Sequence, residues 1–171
     1  MRIMLLHTVE KEVGADHYDL LRHTEARWLS RDKCISRLFE LHHEIIEFLR
    51  TPGSCKDSAE LPQYLEDKDF IIDMAFLADV TQHLNLFNVS LQGKNKSICD
   101  LLRVVNEFMR RFSIIFDQFQ QCDFQNFTRT AKFNLAKNSA KHGESLAILG
   151  DLKTATENHF KDFEKIYHLV E

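Results

Sequence analysis

Apolar residues recur at spacings of three and four along most of this chain, and this period predicts amphipathic α-helices. The clearest stripe runs from Ile98 to Phe119, with charged residues on the opposite side. Ser97, followed by Asp100, resembles a capping box in front of it. Burying such a stripe stabilises a fold by about 1.5 to 3 kcal/mol per large side chain. We therefore expect this helix to belong to the core.

Two further stripes predict helices before it. The residues from Cys34 to Arg50 form one amphipathic pattern, and Ser30 and Asp32 are suited to cap the first turn of that helix. Between Phe70 and Leu91 apolar residues occupy two faces, so this helix is expected to be central. A glycine soon afterwards, Gly93, can end it.

The remaining segments have weaker patterns. Thr51 to Pro62 holds both prolines and predicts a loop that is the best internal boundary. Phe124 to Leu135 shows a short helical pattern, and Asn138 to Gly143 is rich in helix breakers and predicts a turn. Leu149 to Val170 predicts a last amphipathic helix.

Composition supports an all-α fold, because the 171 residues include only five Gly and two Pro, too few for the many turns of a sheet-rich domain. The longest apolar run, Ile3 to Leu6, is too short to span a membrane or to serve as a secretory signal. The four cysteines are scattered, which favours reduced thiols over disulfides or a zinc site. We therefore expect an intracellular protein without a membrane segment.

Charge limits the functional classes. The net charge is −4, whereas a stand-alone nucleic-acid-binding domain usually has a basic excess that displaces counterions from phosphates. Any contact with DNA is therefore expected to be local.

Candidate catalytic chemistry is weak. The nine histidines include no pair at metal-ligand spacing, and His42 lies in the apolar stripe of its helix, where a hydrogen-bonded histidine at the edge of a core is the favoured interpretation. Four aspartates could hold magnesium, but on a helix they spread over several faces: Asp67, Asp69, Asp73 and Asp79. There is no glycine-rich phosphate loop and no nucleophile motif. We expect no enzymatic activity, no metal and no cofactor.

Basic residues surround the only tryptophan, Trp28: Arg22, His23, Arg27, Arg31, Lys33 and Arg37. An aromatic ring among guanidinium groups can stack on an unpaired base while the charges hold phosphate. A tryptophan packed in a core, with solvated arginines around it, is the alternative.

Three ordered blocks carry a family resemblance. Residues 23–31 read HTEARWLSR, residues 76–85 read FLADVTQHLN, and residues 91–95 read LQGKN. Together they resemble hAT transposases and their domesticated descendants, including general transcription factor II-I repeat domain, BED zinc-finger and SCAN domain proteins.

The resemblance implies an all-α helical bundle corresponding to the insertion domain of a hAT transposase, preceded by a short remnant of the ribonuclease-H-like fold. Residues 1–30 would form the remnant, and residues 31–171 the insertion-like domain. The three metal-binding acids of active relatives are expected to lie outside this chain. By the same resemblance, Arg27, Trp28 and Arg31 descend from a DNA contact, although Ala26 and Asp32 depart from the usual Val and Gly.

Two functional hypotheses follow. The first is a catalytically inactive, transposase-derived protein of the nucleus that retains binding to DNA or nuclear proteins. The second is a helical protein–protein interaction module with no nucleic-acid role, whose apolar surface binds a partner. Neither hypothesis predicts an oligomeric state.

Overall fold

The computed structural model describes residues 28–51, 61–93 and 96–167, with side chains placed between Asp32 and Asp162. Within these ranges lie six α-helices: α1 (Trp28–Glu40), α2 (His42–Arg50), α3 (Leu61–Glu66), α4 (Lys68–Leu91), α5 (Ile98–Gln120) and α6 (Ser139–Tyr167). Two short 3-10 helices, Thr130–Phe133 and Leu135–Lys137, lie between α5 and α6. No strand occurs in the described ranges, which confirms the all-α prediction for them. The predicted ribonuclease-H-like remnant falls almost wholly on residues 1–27, outside the described residues.

The chain divides into two compact units, residues 1–81 and residues 82–171, and the boundary lies within α4. The predicted boundary in the 51–62 loop is a different division, and residues 52–60 of that loop are outside the described residues. None of the described helices is long and apolar enough to cross a membrane.

The predicted helix from Cys34 to Arg50 is in fact two helices. Leu41 separates α1 from α2 with φ −101° and ψ 13°, and its side chain is buried. His42, the first residue of α2, stabilises this break in the helix, because its Nδ1 donates to the Phe39 carbonyl oxygen at 2.6 Å. The predicted cap at Ser30 is wrong, because α1 already begins at Trp28.

The end of the predicted loop also differs. α3 begins at Leu61, so Pro62 lies in its first turn, where the missing N–H of proline removes no helical bond. Pro62 and Leu65 are buried in the first unit, as is Ile46 of α2. An exposed ion pair of 2.6 Å, between Arg50 Nη2 and Glu66 Oε1, joins α2 to α3.

α4 is buried almost all round between residues 71 and 80, which explains the two apolar faces of its sequence: Ile71, Ile72, Met74, Ala75, Phe76, Ala78, Asp79 and Val80 are buried. Asp67 precedes the helix, and its carboxylate accepts a hydrogen bond from the Asp69 N–H at 3.0 Å. Leu77 within this stretch is 47% exposed, and Phe70 and Leu86 outside it are exposed as well. The expectation of a central helix therefore holds for its middle.

α5 follows its prediction closely. The Ser97 hydroxyl accepts from the Asp100 N–H at 3.2 Å, and the Asp100 carboxylate accepts from the Ser97 N–H at 3.1 Å, which completes the capping box. The buried stripe consists of Leu102, Val105, Phe112, Ile115 and Phe119.

Two predictions after α5 are wrong. Residues 121–138, which we call the connector, contain turns and the two 3-10 helices instead of an α-helix. Its deeply buried side chains, Phe127, Thr130 and Leu135, occur at irregular spacing, and Asn134 has a left-handed backbone with φ 50°. The expected turn at residues 138–143 is also absent, because α6 begins at Ser139 and includes Gly143.

Candidate interaction groove

The three residues predicted to contact DNA lie outside the part of the chain whose side chains the structure describes. Arg27 is outside the described residues, and Trp28 and Arg31 lie in α1 without described side chains. Of the basic residues further along α1, Lys33 is exposed, and Arg37 lies 3.9 Å from Glu40 in a weak ion pair. The DNA-contact assignment stays a prediction.

The block at residues 76–85 has a clear structural role in its second half. His83 donates from Nε2 to the Asn126 carbonyl oxygen at 2.8 Å, and its ring meets the Phe127 ring edge-on at 5.6 Å. Beside it, Gln82 Oε1 accepts from Arg129 Nη1 at 2.8 Å. These polar side chains therefore attach the connector to α4.

The block at residues 91–95 ends a helix. α4 stops at Leu91, and Gly93 follows with a φ of 145°, a value that side chains rarely tolerate. The Lys96 ammonium group contacts the Ser90 carbonyl oxygen, and a Cβ at Gly93 would lie 3.1 Å from Lys96 Cε. The described residues of this block end α4 and turn the backbone, and they do not form a ligand site.

A groove runs between α4 and α5 within the second unit. Its cavity measures about 160 Å³, and its walls come from His83 to Ser90 on α4 and from Val104 to Ile115 on α5. Aromatic rings form its floor. The rings of Phe87 and Phe108 stack with centroids 3.9 Å apart, and Phe112 stacks on Phe108 at 5.6 Å.

The rim of the groove is both apolar and charged. Leu86, which lines the groove, is 54% exposed, so one large aliphatic side chain of α4 extends the apolar lining toward solvent. Glu107 and Arg111 stand one helical turn apart on α5, and neither forms an ion pair with another described residue. Unpaired rim charges beside an apolar floor are typical of protein interfaces.

The size of the groove limits its ligands. Small-molecule and cofactor sites usually measure about 300 to 1,000 Å³. A dry cavity of roughly 150 Å³ holds one benzene-sized group. The 160 Å³ groove therefore suits a single apolar side chain of a partner better than a free cofactor.

A second, larger cleft of about 440 Å³ lies between α5 and α6. Its lining is mostly polar and includes Asn106, Arg110, Ser113, Asn158 and Lys161. Groups of three or more metal-binding side chains are absent from the described residues.

The histidine expected at the edge of a core is confirmed. His42 is half-buried, stacks on Phe39 at 5.8 Å and donates from Nδ1 to the Phe39 carbonyl oxygen. Burial lowers the pKa of His42 below its ordinary value of 6.5, and the neighbouring His43 lowers it further, against a smaller opposing effect of the hydrogen bond. None of the described cysteines, Cys34, Cys99 and Cys122, lies in a disulfide.

Sequence reasoning did not find the groove. In the sequence, Leu86 lies on the second apolar face of its helix. This second face was the feature of the sequence that could have indicated the groove. The partner wall on α5 could not be identified, because the side chains that pair across two helices depend on how the helices pack.

The chain matches known proteins over most of its length. Residues 3–120 match the family described as the FAM200/GTF2IRD2 helical domain. A relative from Bos taurus, General transcription factor II-I repeat domain-containing protein 2, is 31% identical over 160 residues. That alignment covers 94% of this chain but only 16% of the relative. No solved structure matches.

The helices, their buried stripes and these matches define the class as a helical domain that also occurs inside much longer proteins. The chain belongs to the FAM200/GTF2IRD2 helical domain family.

Proposed function

We propose that this chain is a non-enzymatic domain of hAT-transposase origin that binds a nuclear protein partner through the groove between α4 and α5. The observation that carries the proposal is the apolar groove itself, with stacked aromatic rings at its floor and the half-exposed Leu86 side chain at its rim. The family match and the three sequence blocks support the transposase origin. The name of the Bos taurus relative, which contains the words transcription factor, supports the nucleus.

The partner we propose is an amphipathic helix. One large apolar anchor of that helix would enter the cavity beside Phe87 and Phe108, while a neighbouring apolar residue would cover Leu86. A basic residue and an acidic residue one turn apart would face Glu107 and Arg111. Such an arrangement uses charge for register and apolar contact for affinity.

Site-specific photocrosslinking tests the proposal. A benzophenone amino acid at position 86 is compared in cells with the same group at position 148, because Leu86 and Ile148 are exposed to 54% and 55%. We expect a discrete crosslinked protein from position 86 and none from position 148. Adding Phe108→Ala should remove the band. Equal crosslinking from both positions would refute the groove as the binding surface.

The DNA contact predicted at Arg27, Trp28 and Arg31 is tested separately. Binding of a hairpin DNA to the native chain is compared with binding to Trp28→Ala at several salt concentrations. Weaker binding by Trp28→Ala supports a retained contact, whereas equal and negligible binding by both leaves the protein partner as the single function. Cleavage of transposon-end DNA by the purified chain in magnesium or manganese would refute the non-enzymatic assignment.

A further inference from the structure

A basic segment follows α5 in an otherwise acidic chain. Residues 124–143 contain four Lys and Arg residues and no Asp or Glu, although the chain as a whole has 26 acidic and 22 basic residues. The four cations are Arg129, Lys132, Lys137 and Lys141. Charge is also distributed unevenly between the two units. Residues 82–171 have 12 basic and 10 acidic residues, whereas residues 1–81 have 10 basic and 16 acidic residues.

The basic segment is held in place from inside. Phe127, Thr130 and Leu135 are at most 1% exposed, and the Phe119 and Phe127 rings meet at 4.7 Å. Asn126 Nδ2 donates to Gln118 Oε1 at 2.7 Å, in addition to the bonds from His83 and Arg129 described above. A loop anchored at this many points presents its outer side chains in a fixed arrangement.

The outer side of the segment combines lysines with small residues. Lys132 and Lys137 are exposed, and neither forms an ion pair within the part of the chain that the structure describes. The other exposed residues between positions 128 and 137 are small: Thr128, Ala131, Asn134 and Ala136. Lys141, in contrast, lies 3.2 Å from Glu144. Small side chains between unpaired lysines allow the backbone of a polyanion to approach closely.

We infer that the basic segment binds the phosphodiester backbone of nucleic acid. Lysine, threonine and asparagine are typical phosphate contacts. Phe127 is buried, Phe124 packs on Phe119 at 5.1 Å and Phe133 is partly buried, so contact with the backbone is favoured over base stacking. Binding is therefore independent of sequence. It is also weak, because the whole chain has a net charge of −4. This surface is separate from the proposed groove.

The experiment measures fluorescence anisotropy of labelled duplex DNA between 50 and 200 mM salt. The two exposed, unpaired lysines would give a slope of log K against log salt of about −2, and Lys132→Gln/Lys137→Gln should remove most of that slope. Lys132→Arg/Lys137→Arg keeps the charge and should retain native binding. Arg110→Gln/Lys161→Gln, which removes the same charge from the polar cleft, is the matched control and should retain the native slope.

Several results would overturn the inference. They are no binding at 50 mM salt, an unchanged slope in the Lys132→Gln/Lys137→Gln protein, or an equal loss in the Arg110→Gln/Lys161→Gln control. Equally tight binding of polyglutamate would assign the surface to acidic proteins instead. A loss seen only with Trp28→Ala would place DNA binding at the predicted Arg-Trp block. Because the Leu86 crosslinking does not involve these lysines, failure of either proposal leaves the other standing.

Discussion

His83 lies where α4, the connector and the groove meet. Its Nε2 donates to a connector carbonyl, its ring contacts Phe127, and its side chain also lines the groove. A hydrogen bond of this kind contributes about 0.5 to 1.5 kcal/mol, and an aromatic contact about the same. One side chain therefore couples the position of the connector to the shape of the groove.

Replacing His83 with alanine should lower the free energy of unfolding by about 1 to 3 kcal/mol, because both contacts are lost. Urea denaturation measures the change. His159→Ala is the matched control, since His159 is exposed and its ring meets that of the adjacent Phe160, so its effect should stay within about 0.5 kcal/mol. Equal losses from the two variants would contradict the assigned role of His83.

His42 should make stability depend on pH. Its folded-state pKa lies below the unfolded value, so the unfolded chain binds more protons at mildly acidic pH. The contribution to stability is present above pH 6.5 and is lost as the pH falls through the folded pKa. The free energy of unfolding should therefore decrease between pH 7.5 and pH 5.5 by more in the native protein than in His42→Gln. Parallel pH profiles for the two proteins would count against this explanation.

At the scale of elements, sequence reasoning succeeded where one local pattern was long and strong. α5 has a capping box and an unbroken stripe, and it begins at Ile98 as predicted. The connector and the start of α6 were misjudged, because tertiary burial of Phe127 and Leu135 fixes a backbone that local propensity does not favour. Asn138 Oδ1 accepts from the Lys141 N–H at 3.3 Å, so a residue in the predicted turn supports the first turn of α6 instead.

Ser97→Ala should destabilise α5 by about 1 kcal/mol, because the Asp100 N–H loses its acceptor at the start of the helix. Thermal and urea unfolding followed by circular dichroism measure the loss. Ser139→Ala is the comparison, because Ser139 is exposed and lies within the first turn of α6. It should change stability by less than about 0.5 kcal/mol.

The capping box should also respond to acid. The Ser97 hydroxyl and N–H hold the pKa of Asp100 below its ordinary value. The stabilisation is therefore present above the unfolded-state pKa and is lost as the pH falls through the folded one. Removing the hydroxyl in Ser97→Ala should reduce the loss of stability between pH 5 and pH 3. An undiminished acid dependence in Ser97→Ala would argue that other carboxylates dominate this range.

At the largest scale, the packing of aromatic rings stabilises the second unit, residues 82–171. Phe119 is fully buried and contacts the rings of Phe124, Phe127 and His142 at 4.7 to 5.3 Å. His142 of α6 also donates from Nε2 to the Phe119 carbonyl oxygen at 2.8 Å. This cluster joins α5, the connector and α6.

Phe119→Ala should lower the free energy of unfolding by about 3 to 5 kcal/mol, because it removes a buried ring and leaves a cavity at this junction. Equilibrium unfolding in urea measures the loss, and Phe119→Leu should recover part of it. Ile114→Ala on the same helix, where the side chain is 54% exposed, should have a small effect. Similar losses for Phe119→Ala and Ile114→Ala would be incompatible with this packing.

The sequence by itself determined the helical class, the limits of α5, its capping box and the family resemblance, because periodic burial and helix caps depend on residues close together in the chain. The tertiary structure alone decided the break at Leu41, the path of the connector and the groove. The path of the connector and the groove depend on contacts between residues far apart in sequence. His83 and Asn126, for example, lie 43 positions apart. Local propensities carry no information about which distant side chains will meet.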